Sequence, residues 1–346
     1  LLTNTTGTSN VAVGLEALKL NTTGSNNVGI GQESLQKNTT ASNNTGVGHN
    51  ALKDNTTGTS NTAVGGLSLD ANTTADNNTA IGYNAGSEIT TGADNTILGA
   101  SALDALTTGS SNVAVGYRAL TLAATSSNNT AVGTNALLLN TTGSSNVAVG
   151  MNALDANTTG EYNVGIGTSA LTNNTTGQLN TALGQSALFN NSTASYNTGI
   201  GYNALNANTT GTQNVAVGAL SLDANIDGNY NVAIGRAALS ENLDGNNNVA
   251  VGLNALFANT TANNNTALGH GTLTNSTTAS NNTAVGCKAL ETNTTGHQNV
   301  AVGANAFDAS TTSSNCVAIG HNALTTQTGA NDNVAVGKDA LKLNTT

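Results

Sequence analysis

Few residues of this chain are of a type and spacing that could do chemistry. Asp227 and Asp244 hold the same place in two near-copies of one stretch, Asn225-Ile226-Asp227-Gly228-Asn229 and Asn242-Leu243-Asp244-Gly245-Asn246. If those copies stack, the two carboxylates come within about 5 Å. Like charges that close either hold a cation or raise one another's pKa, unless the side chains splay into water. Tyr83, Tyr117 and Tyr202 each directly follow a glycine, and Tyr162, Tyr196 and Tyr230 each lie five residues before one. Tyrosine joins a large apolar face to a polar tip, which suits an exposed contact surface. These six are the candidate binding residues, and Asp227 with Asp244 is the candidate metal site. No other cofactor is expected.

No catalytic set stands out. Gly-x-Gly occurs at Gly29/Gly31 and Gly165/Gly167, but without the βαβ unit that would make it a dinucleotide loop. His49, His270 and His321 recur in one column but in separate copies, and His297 lies in another; they read as isolated, solvated side chains. Cys287 and Cys316 fall in different columns of different copies and do not suggest a disulfide framework. The Asn-Thr-Thr triplets are formal glycosylation sequons, yet their even spacing marks them as turns. The chain is expected not to be an enzyme.

What must position these residues is a repeat. Asn10-Val11-Ala12-Val13-Gly14 returns at every seventeenth position up to Asn333-Val334-Ala335-Val336-Gly337, in 20 copies with no insertion or deletion. A period this strict means one structural unit stacked on itself, here one continuous array over residues 1–346. β-Branched residues alternating with Ala or Gly predict a short strand, ended by a glycine that supplies a sharp turn. A small residue and then Leu follow, as in Ala17-Leu18 and Ala51-Leu52. Because Asn, Ser or Asp commonly precedes this pair, as at Asn152, the segment reads as one short helical turn or as a bent second strand. Asn-Thr-Thr-Gly then closes the coil with turn chemistry. The Asn columns are expected to hydrogen-bond from coil to coil.

All 26 charged side chains avoid the Asn-Val-Ala-Val-Gly and Ala-Leu columns. Charge is confined to corners that reach water. The Val/Ile column and the Leu column are expected to be the most buried, with the Ala/Gly column pressed on a second wall. One region departs from the pattern: Gly86 stands at a Leu position, Ile89 and Leu106 in a turn Asn column, and Ile97 where a small residue belongs. Volume lost at Gly86 and gained nearby reads as one compensated repacking, with no charged cluster beside it.

Composition bounds the partners. A net charge of −10 disfavours nucleic acid and anionic membrane surfaces. No apolar run approaches the ~20 residues needed to span a bilayer. The chain opens at Leu1 and closes inside a repeat at Asn344-Thr345-Thr346, so it is expected to be a segment of a longer fibre. Each chain is expected to form its own solenoid, advancing ~4.8 Å per coil, rather than to interleave with others at ~14 Å per coil.

Asn-Val-Ala-Val-Gly and variants such as Asn78-Thr79-Ala80-Ile81-Gly82 resemble the Asn-Ser-Val-Ala-Ile-Gly motif of YadA-type trimeric autotransporter adhesin heads. The wider unit, ending in Asn-Thr-Thr-Gly, is similar to repeats of phage tail fibres. The adhesin heads use shorter coils. The resemblance implies an all-β parallel β-solenoid (β-roll) as a homotrimer, at the cell surface or on a virion, in adhesion. The expected function is therefore an extracellular structural fibre that adheres to a surface glycan or protein receptor, or spaces a receptor-binding tip. A rival is an ice- or surface-binding solenoid using the rank of Thr22, Thr39, Thr56 and their successors.

Overall fold

Residues 2–345 are described by the computed structural model. Among them are twenty strands of three residues each and no helix. The chain forms two compact units, Leu1–Thr176 and Gly177–Thr346, built alike. The first carries β1 (Val11–Val13) to β10 (Val164–Ile166), the second β11 (Thr181–Leu183) to β20 (Val334–Val336). Strands of successive coils pair in parallel and one period apart, as in Val11↔Val28, Ala12↔Gly29 and Val13↔Ile30. Each rung therefore lies against the next rung of its own chain. Within each unit this is a β-solenoid, not an interleaved roll.

The helical turn is not formed, nor is a second strand. The segment after the strand is a run of tight turns, with Ala17 N–H donating to Gly14 O at 3.4 Å, Lys19 N–H to Glu16 O at 3.3 Å and Asn21 N–H to Leu18 O at 3.3 Å. Glu16 and Leu18 are left-handed, at φ 60° and 48°, and the same two columns repeat this, as at Asn152 (φ 56°) and Leu154 (φ 54°). The Asn and Ser residues read as helix caps are instead the side chains that tolerate this conformation best. Leucine does not favour it; a left-handed L-residue costs about 1–2 kcal/mol. Full burial of the same side chain returns about 1.5–3 kcal/mol, and Leu18 N–H also bonds the next coil at Ser34 O, 3.0 Å away. Burial wins, so the turn is held from the inside.

The burial pattern corrects one expectation. The middle residue of each strand, Ala or Gly everywhere but at Ile97, points inward, and Ala63, Ala114, Ala148 and Ala216 are fully buried. The flanking Val, Thr, Ile and Leu residues point outward; Ile81 is 41% and Leu98 47% exposed. A three-residue strand has one inward position, and with a leucine in the facing column the coil is too narrow for a branched side chain there; Ile97 fits because Gly86 stands in that column. A Cβ added at Gly29 would lie 3.3 Å from Leu18 Cγ, so the wall that the small column presses on is the Leu column of the same chain. The strand-ending glycine is needed for both space and angle: Gly31 has φ 128°, and a Cβ there would meet Gly48 O at 2.4 Å.

Two asparagine ladders line the corners. In one, the amide of Asn38 donates to Asn21 Oδ1 at 2.9 Å and to its own coil's Ala41 O at 3.0 Å. In the other, Asn10 Oδ1 accepts from Asn27 N–H at 2.9 Å, while Asn27 Nδ2 donates to Ala41 O at 2.8 Å. Away from the end coils both ladders are completely buried, and neither carries charge.

The irregular coils repack as expected. Gly86 keeps the left-handed turn at φ 59°, and a Cβ there would meet Ile97 Cδ1 at 2.7 Å, Ile89 Cδ1 at 3.0 Å and Leu69 Cδ2 at 3.2 Å. The two isoleucines fill the volume a leucine would occupy.

Candidate functional site

The outward residues of the strands make an open face on each unit. Val or Thr begins each strand and Val, Ile or Leu ends it, so two ranks of mostly β-branched side chains run from coil to coil. No charged residue falls in either rank. Parallel sheets are normally covered on both faces. Here the inner face is packed and the outer one is bare.

The tyrosines border this face. Tyr196 and Tyr202 flank β12 (Thr198–Ile200) at its two ends, and Tyr230 precedes β14 (Val232–Ile234). All six are exposed, between 51% and 63%. Tyr162, Tyr196 and Tyr230 sit in the left-handed conformation, at φ 57°, 64° and 60°. Tyr83 lies across Gly66 of the preceding coil; a Cβ at Gly66 would be 3.6 Å from its ring. Tyr83, Tyr117 and Tyr162 thus stand in the first unit and Tyr196, Tyr202 and Tyr230 in the second, along the edges of one kind of surface.

Asp227 and Asp244 stand exposed in consecutive coils of the second unit. Their backbone carbonyls accept from Asn229 Nδ2 and Asn246 Nδ2, both at 2.7 Å. Among the described residues no group of three or more His, Cys, Asp or Glu side chains is placed to hold a metal ion.

Other side chains meet where the sequence reading left them apart. Cys287 Sγ lies 3.8 Å from His270 Nδ1 in the adjacent coil, so His270 is not isolated. His297 Nδ1 accepts from Ser280 N–H at 2.9 Å. Both contacts join residues one period apart, and column arithmetic alone would have found them. Contrary to the expectation of no charged cluster near Gly86, Glu88 and Asp104 line an open hollow of about 270 Å³ with Asn84, Ser87 and Ala105. Asn84 Nδ2 donates to Asp104 Oδ2 at 3.3 Å, yet burial pushes the Asp104 carboxyl above the ordinary aspartate range.

The threonine rank is engaged within the fold. Thr22 Oγ1 donates to Thr39 O at 3.0 Å and Thr56 Oγ1 to Thr73 O at 2.9 Å, and these residues are half-buried.

Compared with protein-family models and with curated proteins, the chain matches none.

Proposed function

We propose that the chain is a segment of an extracellular fibre whose copies associate through the bare strand face, leaving the tyrosine edges to make contact with a surface. The observation that carries this is the face itself: mostly β-branched, charge-free and uncovered on a parallel sheet. Ten coils at ~4.8 Å and a strand ~10 Å across give roughly 500 Å² per unit. Each unit thus carries more than half of what one partner brings to a stable interface, ~800 Å². A second copy is the natural cover, because both surfaces then share one rung spacing and neither buries a charge. Three copies follow from the resemblance to trimeric adhesin heads. The same fibre serves as a spacer if a tip elsewhere does the binding. The threonine rank gives no support to an ice-binding face, since its hydroxyl protons are spent on neighbouring carbonyls.

The test is the mass of the chain in solution. Sedimentation equilibrium is expected to show a particle of three 34.1 kDa chains. A monodisperse monomer at micromolar concentration would sink the reading.

A further inference from the structure

Tyrosines on the edges recur at a two-coil interval. Tyr196 and Tyr230 hold the same column of the second unit two coils apart, with Gln213 in the coil between them. Tyr83 and Tyr117, in the other tyrosine column of the first unit, are also two coils apart, with Ala100 between. The backbone that carries Tyr196 and Tyr230 is fixed to the rung spacing. Tyr196 N–H donates to Gln178 O at 3.1 Å, Gln213 N–H to Ser195 O at 3.3 Å and Tyr230 N–H to Thr212 O at 3.1 Å. The strands beside them are locked in register, Thr198↔Val215 and Val215↔Val232.

Two parallel rungs span ~9.6 Å, close to the roughly 10 Å over which a β-1,4-linked chain of pyranose sugars turns the same ring face back to one side. In such a chain each ring is flipped relative to the last, so every second sugar presents its apolar C–H face in one direction. That face packs flat on an aromatic ring. The sugar between turns its hydroxyls toward the protein, where Gln213, exposed, has both a donor and an acceptor to offer. We infer that this edge is a platform for a linear β-1,4-linked glycan of the cellulose or chitin type, lying along the coils. The inference rests on the fibre reading above and names the ligand of its tyrosine edge. Curled α-linked glucans do not repeat a face at this pitch and are excluded by the spacing. Each contact is weak, and attachment comes from many contacts on one fibre.

The chain has six tyrosines and no tryptophan, so its intrinsic emission reports on these rings directly. The experiment titrates the full chain with cellohexaose and chitohexaose, and with maltohexaose as the curled control, following tyrosine emission and heat. One variant is Tyr196→Asn with Tyr230→Asn; Asn already occupies this left-handed column at Asn247 and Asn264 (φ 58° and 60°). The decisive variant, Gln213→Tyr with Tyr230→Gln, keeps two rings but sets them one coil apart. Both variants are built on a parent carrying Tyr83→Thr and Tyr162→Asn, which leaves Tyr196 and Tyr230 as its one tyrosine pair two coils apart; they should melt like that parent and bind a β-1,4 hexaose at least about tenfold more weakly than it does. No binding of either β-1,4 hexaose by the parent, or equal binding by the shifted variant, overturns the proposal. So does tyrosine-dependent capture on a protein-coated surface without hexaose binding, which would assign the edge to a protein ligand. In any of these cases a trimeric mass leaves the fibre reading standing, whereas a monomeric mass removes that reading separately.

Discussion

A buried asparagine in this fold is only as good as its neighbours in the column. Asn259 donates to Asn242 Oδ1 at 2.7 Å, but the next coil has Ser276, too short to reach back. Asn259 Oδ1 and Ser276 Oγ are both buried without a partner, as are Asn293 Oδ1 and Ser310 Oγ at a second such break. An unsatisfied buried acceptor costs about 1–3 kcal/mol. Ser276→Asn should therefore stabilise the chain by about 1 kcal/mol, read from the urea midpoint at constant m. A lower midpoint would mean that the column is too tight there for an amide.

The half-buried aspartates make a second case. Asp70, Asp104, Asp155, Asp223 and Asp308 share one column, five residues after the glycine. Burial pushes each carboxyl above the ordinary aspartate value near 3.8. A carboxyl whose pKa is raised by folding binds its proton more tightly in the folded state. Stability from this group is therefore gained as pH falls through the raised value and lost as pH rises through it. For Asp155 the only opposing influence is a hydrogen bond from Ala156 N–H, which an asparagine oxygen can also accept. Asp155→Asn should raise Tm at pH 7, with the difference shrinking as pH falls toward the ordinary aspartate value. A pH-independent difference would refute burial as the cause. Asn206 already occupies this column, donating to Ser186 O at 3.1 Å.

Among the elements, the strand was legible in the sequence and its orientation was not. Alternation with period two placed a strand at Asn-Val-Ala-Val-Gly, and the register followed from the unbroken repeat. Hydrophobicity pointed the wrong way on burial, because the branched columns are more apolar than Ala, yet steric width chose Ala. The turn run was missed for a related reason. Left-handed leucine violates local preference, and only the buried wall opposite, invisible in one coil, compensates it. The tyrosines were legible as exposed corners, while the Cys287–His270 contact needed the columns to be compared between coils.

The repacked coil tests this account of the wall. Gly86→Leu alone should destabilise by about 1–3 kcal/mol through overpacking against Ile97 and Ile89. Combined with Ile97→Ala, which restores the small residue of the other strands, most of that loss should be recovered. A double-mutant cycle with no coupling would show that the isoleucines do not fill the leucine's place.

At the scale of the whole molecule, charge and the bare strand face are kept apart. Ion pairs such as Lys37–Asp54 at 2.9 Å and Lys53–Glu33 at 2.7 Å lie at corners, with side chains 23–47% exposed. Pairs of this kind contribute little to stability. Association through the charge-free face should then be insensitive to ionic strength, with the same sedimenting mass from 50 mM to 500 mM salt, about a threefold change in screening length. Val149→Lys with Ile200→Lys should lower that mass while leaving the melting of each chain nearly unchanged. A mass that falls steeply with salt would place the contact at the charged corners instead.

A chain of near-identical coils carries an ambiguity that a globular chain does not: it can skip one period, loop out a whole coil, and resume pairing with every column still matched. Such a slip forfeits only one coil, so the misregistered states crowd close below the native one. The repacked coil breaks this degeneracy. Ile97 tolerates only a neighbour without a side chain at the leucine position, and Gly86 provides it. Slipped by one period, Ile97 would face Leu69, and the error would announce itself as a clash. The least regular coil is thus the reference mark from which the others can be counted.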